Sequence, residues 1–179
     1  MNKILGIDPG SSVAGFACLA RTGEGIINAR NMKILGAGAL KFDKNLSHSK
    51  RIGQLHNSVY KLLEEFNPDF CVIEKGFLGV NPNTSLKLGE SRGAIISAVY
   101  RSGVELREIT PAQVKKFMTG SGRASKEEIA QSLKQLLGFE LGDLPHDVSD
   151  AIAIALAASF DCAAPKQVSR MHVSAETPV

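Results

Sequence analysis

Strand-type and helix-type hydrophobic periodicities follow one another in a definite order along this chain of 179 residues. Three strand-like segments come first, and helices then alternate with two further strand-like segments. The predicted strands span 3–8, 13–20, about 28–42, 69–74 and 104–108, and the predicted helices span 47–66, 85–100, 110–117, 125–137 and 147–160. This order predicts an α/β domain, with a mixed five-stranded sheet flanked by helices.

Local sequence signals support several of these elements. Gly36 and Gly38 weaken the third strand and indicate a β-bulge. The pair Thr110-Pro111 is typical of a helix N-terminus. Ser125 and Glu128 have the spacing of a capping box, which predicts that a helix begins between them.

The length of the chain favours one domain, and we expect it to span residues 1–164. Residues 165–179 are polar and aperiodic, so we expect a flexible C-terminal tail. No stretch approaches the roughly 18 apolar residues of a membrane span, and the apolar run at the N-terminus is too short for a signal peptide. We therefore expect a soluble protein with no membrane contact.

Net charge and cysteine content indicate less about the partners and the cellular compartment of the protein. The 21 basic and 18 acidic residues give a net charge of only +3, which permits nucleic-acid binding without indicating it. The cysteines Cys18, Cys71 and Cys162 are odd in number, far apart and set among apolar residues. They are typical of reduced core thiols, and we expect a cytoplasmic protein.

Acidic residues stand at positions where burial would discourage them. Asp8 ends one apolar strand and Glu74 ends another, while Asp147 and Asp150 stand three apart at the start of an apolar helix. If the strands are adjacent and the helix crosses their ends, the acids converge and repel one another. Divalent cations relieve that repulsion, and oxygen ligands favour Mg²⁺ or Mn²⁺ over zinc. Two such ions, about 4 Å apart, suit hydrolysis of a phosphodiester.

Each acid also has a purely structural interpretation. Asp8 precedes Pro-Gly and fits a turn, and Glu74 fits the exposed end of a strand. Asp147 fits a helix N-cap, and Asp150 would favour the positive end of the helix dipole. The coincidence of all four in one chain favours the metal centre.

Four segments in this order resemble the motifs of the RuvC family of crossover junction endodeoxyribonucleases. They read ILGIDPGSSVAGFA, VIEKGFLGVNPNTSLKLGESRG, ITPAQVKKFMTGSGRASKEEI and LPHDVSDAIAIALA, and they cover most of residues 3–160. The resemblance implies a ribonuclease H-like fold, a homodimer, divalent metal, and paired symmetric nicks near the centre of a DNA four-way (Holliday) junction. It also implies a role in recombination and repair, together with a branch-migration helicase complex.

The resemblance also assigns the acidic residues. It places the family's four catalytic and metal-binding acids on Asp8, Glu74, Asp147 and Asp150. This chain departs from the pattern at His146, a second candidate ligand beside Asp147, and in residues 28–40, which are longer than usual. We favour Asp147, because its oxygen suits Mg²⁺ and because His146 directly follows a proline at the edge of the helix. As imidazolium, His146 would instead contact the scissile phosphate or protonate the leaving oxygen.

A basic segment predicts DNA contacts. Residues 110–126 contain no acid but include Lys115, Lys116, Arg123 and Lys126 around a glycine-rich loop. Composition alone fits a solvated basic surface equally well, but the resemblance implies DNA-contacting lysines at Lys115 and Lys126.

Two other residues have competing interpretations. Arg92, on the helix after Glu74, would contact phosphate, or else lie at the surface or in a dimer interface. Phe77 lies in a glycine-rich loop and fits a small satellite core, whereas the resemblance implies that it stacks on unstacked bases. The small residues between Gly89 and Ala98 suit either a dimer interface or packing on the sheet.

Three other functions compete with junction resolution. The segment GIDPGSSVAG also resembles the phosphate loop of actin-like and sugar-kinase-like ATPases, but no second loop of that kind exists and the chain is too short for two lobes. A non-catalytic junction-binding protein is disfavoured because all four acids are present. A nuclease that cuts flaps or other branched DNA remains an alternative, since loops and dimer geometry determine which DNA shape is recognised.

Overall fold

In the part of the chain that the structure describes, five strands form one mixed sheet in the order β3-β2-β1-β4-β5. A computed structural model describes residues 3–22, 31–76, 81–137 and 144–160 of the chain. The strands are β1 (Lys3–Asp8), β2 (Val13–Arg21), β3 (Met32–Lys41), β4 (Phe70–Glu74) and β5 (Glu105–Ile109). The predicted α/β architecture with a five-stranded mixed sheet is therefore confirmed.

The first three strands form an antiparallel meander, and the last two add in parallel beside β1. The predicted irregularity lies in the third strand: the register shifts where Cys18 pairs with Gly36 and Leu19 pairs with Ile34, so Leu35 is the extra residue. Residues 23–30, which include the first part of the segment predicted to be unusually long, lie outside the described residues.

The described residues form five helices that cover the sheet: α1 (His48–Phe66), α2 (Pro82–Ser102), α3 (Pro111–Thr119), α4 (Lys126–Leu137) and α5 (His146–Phe160). Both predicted N-termini are confirmed, because Thr110 caps α3 and the Ser125 hydroxyl accepts a hydrogen bond from the Glu128 N–H at 3.2 Å. Helix α2 begins three residues earlier than predicted, because the Asn81 side chain accepts from backbone N–H groups and Pro82 occupies the first turn.

The helices form a layer on each face of the sheet. Apolar residues of α1 and α2 pack with Leu5, Ile7 and Cys71 on one face. Apolar residues of α3, α4 and α5 pack with Ile4 and Val72 on the other. The described helices include none long and apolar enough to cross a membrane. The predicted tail and Cys162 lie outside the described residues.

Helix α5 lies directly against the backbone of β1 and β2. A Cβ atom added at Gly6 would lie 2.6 Å from the Ala151 carbonyl oxygen, and one added at Gly15 would lie 1.8 Å from the Asp147 carbonyl oxygen. Both distances are far below van der Waals contact, so only glycine permits this approach. The two glycines therefore set how close the first turns of α5 come to the ends of the strands.

Candidate active site

Two acids meet at one edge of the sheet because their strands are adjacent and parallel. Asp8 is the last residue of β1 and Glu74 is the last residue of β4, and the register pairs Ile7 with Ile73 immediately before them. Side chains alternate between the faces of a strand. Asp8 therefore shares the face of Ile4 and Gly6, and Glu74 shares that of Val72, which is the face covered by α3, α4 and α5.

Helix α5 brings the third acid to this edge. Asp150 lies one turn inside α5, where it follows the buried Val148 and precedes a run of nine buried residues that fixes the helix on the sheet. Since α5 approaches the backbone at Gly6 and Gly15, its first turns lie over the ends of β1 and β2. The packing of this helix thus carries Asp150 to the two strand-end acids.

The three acids line a common cavity of about 260 Å³. Two lysines, Lys115 from α3 and Lys126 from α4, also line it. Its remaining walls are mostly apolar and come from the helices above the sheet: Pro111, Val114, Ile129, Ala153 and Ile154. The predicted convergence of Asp8, Glu74 and Asp150 is therefore present, with basic side chains at the same place.

The electrostatics of the cavity show that the acids act on one another. The pKa of Asp8 is raised from its ordinary value of 3.8 to about 7, chiefly by burial and then by the charges of Asp150, Glu74 and Asp147, against the opposing charge of Lys126. Burial, followed by the charge of Asp150, also raises the pKa of Glu74. Mutual repulsion of this kind is the state that a bound cation relieves.

Lys126 already pairs with one of the acids. Its Nζ donates to Asp150 Oδ2 at 3.3 Å, and the Asp150 charge raises the pKa of Lys126. The position of the lysine follows from the start of α4, where Ser125 caps the helix and Lys126 is its first residue. Lys115 lies in the same cavity and stabilises the charge of Glu74.

Asp147 and His146 differ in their surroundings. Asp147 is half-buried in the first turn of α5, and its charge acts on Asp8 and on Lys126. His146 is the exposed first residue of α5, and its charge acts on Glu127 of α4. Neither residue lines the cavity of the three acids, but Asp147 is coupled to that cavity electrostatically.

Arg92 has an internal partner. Its guanidinium forms an ion pair with Glu108 of β5, and its side chain is only 13% exposed. The same side chain packs against Gly76, two residues beyond Glu74, and its charge stabilises the ionised Glu74. Arg92 therefore ties the chain leaving β4 to β5, a role in positioning that the sequence alone did not indicate.

The remaining basic residues lie away from the acids. Lys116 follows Lys115 but lines a separate cavity with Phe117 and Phe160, because successive helical residues point in different directions. Arg123 is exposed in the turn between α3 and α4, where its N–H donates to the Ser121 hydroxyl. Phe77 lies outside the described residues, so its predicted stacking on bases stays a prediction.

The donor set suits a hard divalent cation. The three cavity acids and Asp147 offer oxygen atoms alone, which Mg²⁺ and Mn²⁺ prefer. Within the described ranges, no three His, Cys, Asp or Glu side chains already stand together as a ligand group. The chemistry of the donors and the raised pKa of Asp8 are the observations that fit a cation.

Comparison with known proteins agrees with this geometry. The profile of the family described as "Crossover junction endodeoxyribonuclease RuvC" matches residues 4–158. The protein of that name from Chlorobium phaeovibrioides is 35% identical over 159 residues, which are 89% of this chain and 82% of the relative. The one from Thermosipho melanesiensis is 36% identical over 153 residues, covering 86% of this chain and 94% of the relative.

Solved structures of relatives share the fold. T. thermophilus RuvC, in complex with a Holliday junction substrate, superposes with a TM-score of 0.80 at 30% identity, covering 90% of this chain and 94% of the other. The yeast mitochondrial Holliday junction resolvase Ydc2 superposes with a TM-score of 0.64 at 15% identity, a likeness of fold alone. The predicted ribonuclease H-like fold is confirmed. The family profile spans nearly the whole described fold, and relatives matched over 82% or more of their length exceed 30% identity, so the chain belongs to the RuvC family of crossover junction endodeoxyribonucleases.

Proposed function

We propose that this protein resolves DNA four-way (Holliday) junctions by paired symmetric nicks, as a crossover junction endodeoxyribonuclease of recombination and repair. The observation that carries the proposal is the cavity in which Asp8, Glu74 and Asp150 meet Lys115 and Lys126, in a chain that belongs to this family. Carboxylates bind divalent metal ions and lysines bind phosphate groups, so this combination of side chains suits phosphodiester hydrolysis.

The proposed metal ligands are Asp8, Glu74 and Asp150, with Asp147 beside them. Mg²⁺ is the proposed ion, Mn²⁺ is an alternative, and two ions per subunit are expected. When bound, such ions activate a water molecule and stabilise the leaving oxygen of a phosphodiester. The chain's own contribution is to fix the carboxylates at adjacent strand ends under α5 and to exclude bulk water with the apolar wall of the cavity.

The proposed DNA contacts begin at the cavity and continue outside it. Lys115 and Lys126 are proposed to bind the phosphate whose bond is cut, and their position in the same cavity as the acids supports this role. Lys116 and Arg123, outside that cavity, are proposed to contact more distant phosphates. Phe77 is proposed to stack on an unpaired base at the junction. Arg92, paired with Glu108, is proposed to hold the chain beyond Glu74 in place.

A homodimer is the proposed assembly, because a four-way junction has two equivalent strands to cut and a two-fold axis matches them to two active sites. Helix α2 supplies the proposed interface. Its Ala94 and Ala98 are buried, whereas no described atom outside the helix's own backbone and the neighbouring residues lies within 4 Å of a Cβ added at Gly89 or Gly93. On the same helix, Leu86 is 63% exposed and Tyr100 is 72% exposed.

The dimer is tested with a matched pair of glycine substitutions. Gly93→Arg places a large charged side chain on the proposed interface, whereas Gly53→Arg does the same on α1, where a Cβ also meets open space in the described structure. In sedimentation velocity at micromolar concentration, we expect a dimer for the wild type and for Gly53→Arg, and a monomer for Gly93→Arg. A monomeric wild type that resolves junctions fully would refute the dimeric mechanism.

The function is tested by a cleavage assay with purified protein. A synthetic four-way junction, a flap and a linear duplex of the same sequence are incubated with and without Mg²⁺, and the products are separated on a denaturing gel. We expect symmetric nicks in the four-way junction when Mg²⁺ is present, and no cleavage of the junction when it is absent. Equal cutting of flap and junction would favour the alternative nuclease of looser specificity. Binding of the junction without cleavage in either Mg²⁺ or Mn²⁺ would favour a non-catalytic protein.

The proposed setting is the cytoplasm, in company with a branch-migration helicase complex. Burial raises the pKa of Cys18 to about 11 and that of Cys71 well above its usual range, which keeps both thiols protonated and unreactive. The absence of a disulfide between these two described cysteines is compatible with a reducing compartment. The helicase partner rests on family resemblance.

A further inference from the structure

Lys126 is the cation nearest to the carboxylates in the described cavity. Its Nζ lies 3.3 Å from Asp150 Oδ2, and its charge also acts on Asp8 and Asp147. The lysine side chain is 67% exposed and the Asp150 side chain is 30% exposed, so the ammonium reaches in from solvent to a half-buried acid. The ion pair thus places a positive charge where the proposed function places a metal ion.

A lysine in this position can form an ion pair with Asp150 and can also move away from it. Its charge is carried on a flexible four-carbon stem, and an exposed ion pair contributes little to stability. A divalent cation competes for the same Asp150 oxygens and repels the ammonium beside it. The ammonium group and a metal ion therefore compete for the Asp150 carboxylate, and each weakens the binding of the other.

We propose that Lys126 is a built-in counter-ion of the metal site, which a divalent cation must displace from Asp150 before it binds. The inference rests on the proposed function, because it takes Asp150 as a metal ligand. Displacement leaves the ammonium at the mouth of the same cavity, free to bind a DNA phosphate. The lysine thereby weakens metal binding in the DNA-free protein and couples the metal site to the phosphate.

The test measures Mn²⁺ affinity by electron paramagnetic resonance on the full-length protein without DNA, so that cleavage does not enter the readout. Lys126→Gln removes the competing charge and should bind Mn²⁺ about three- to tenfold more tightly than the wild type. Lys134→Gln makes the same charge change in the last turn of the same helix and should match the wild type. Lys126→Arg keeps the charge and should retain the weaker affinity. Equal or weaker binding by Lys126→Gln would overturn the proposal.

A double variant locates the effect and separates this inference from the proposed function. If the lysine acts through Asp150, the gain from Lys126→Gln should disappear in an Asp150→Asn background. Persistence of the full gain there would overturn the proposal. Saturable Mn²⁺ binding that Asp150→Asn abolishes but Lys126→Gln leaves unchanged would reject the counter-ion and keep the metal centre. Absence of saturable Mn²⁺ binding in the wild type and in all variants would reject both the counter-ion role of Lys126 and the proposed metal centre.

Discussion

Asp8→Asn should stabilise the metal-free protein against unfolding and, at the same time, abolish nuclease activity. The pKa of Asp8 rises from 3.8 to about 7 in the folded protein, chiefly through burial and then through the charges of Asp150, Glu74 and Asp147. At about 1.4 kcal/mol for each pKa unit, the ionised Asp8 costs the folded state at most about 4 kcal/mol above pH 7. Asp8 keeps some contact with water, so we expect asparagine to recover about 1–3 kcal/mol.

The sign of the pH dependence follows from the same values. Between pH 4 and pH 7 the folded protein binds more protons at Asp8 than the unfolded chain does. The free energy of unfolding contributed by this residue therefore falls as the pH rises through that range, and most of the loss is complete just above pH 7. Asparagine does not titrate, so the advantage of Asp8→Asn should be small at pH 4.5 and largest near pH 8.5.

Urea unfolding in EDTA at several pH values measures this difference directly. Glu64→Gln, at an exposed position on α1, is the control for removal of one carboxylate. Mn²⁺ should stabilise the wild type more than Asp8→Asn, and the variant should lose junction cleavage by orders of magnitude while it retains junction binding. If Asp8→Asn gains no stability at pH 8.5, burial and the neighbouring charges do not disfavour ionised Asp8 as described. Full nicking in Mg²⁺ would remove Asp8 from the metal centre.

Three further predictions concern the charged residues around the acids. Alanine at both Lys115 and Lys126 should weaken binding to all DNA and reduce the slope of log affinity against log salt concentration by about one for each lysine, and an unchanged slope in fluorescence anisotropy would exclude phosphate contacts. Asp147→Ala should lose junction cleavage in Mg²⁺ at saturating enzyme more severely than His146→Ala, and the reverse order in both Mg²⁺ and Mn²⁺ would make the histidine the ligand. Arg92→Gln should reduce the turnover number about tenfold or more with little effect on the salt slope, because its charge is paired internally; a lowered slope with normal turnover would make it a phosphate contact.

Local signals were enough to predict the elements but not how they pair. The bounds of β1 match the prediction because an apolar run stops at Pro-Gly, and the starts of α3 and α4 match because Thr110 and Ser125 cap them. Strand order depends on contacts far apart in sequence. The hypothesis of a metal centre therefore had to assume that the strands bearing Asp8 and Glu74 are adjacent. The parallel pairing of β1 with β4 confirms that they are.

The parts of the site that sequence reasoning missed arise from packing across long separations. Gly6 and Gly15 look like ordinary strand residues, and only the backbone of α5 shows why a Cβ would not fit at either position. The partner of Arg92 lies sixteen residues away on β5, at a distance that no helical or strand period indicates. A glycine inside a predicted strand was the available signal, since it often marks the close approach of another backbone.

The placement of Asp150 on α5 has a consequence for the order in which the enzyme is made. Synthesis proceeds from the N-terminus, so the strands bearing Asp8 and Glu74 and the segment bearing Lys115 and Lys126 leave the ribosome before α5 does. A chain that stops before residue 146 carries the basic segment but lacks the third cavity acid and the helix that covers β1 and β2. On the proposed assignment, such a fragment carries the DNA-binding lysines without the acid that completes the metal site, so the proposed nuclease activity arises only once α5 has been synthesised.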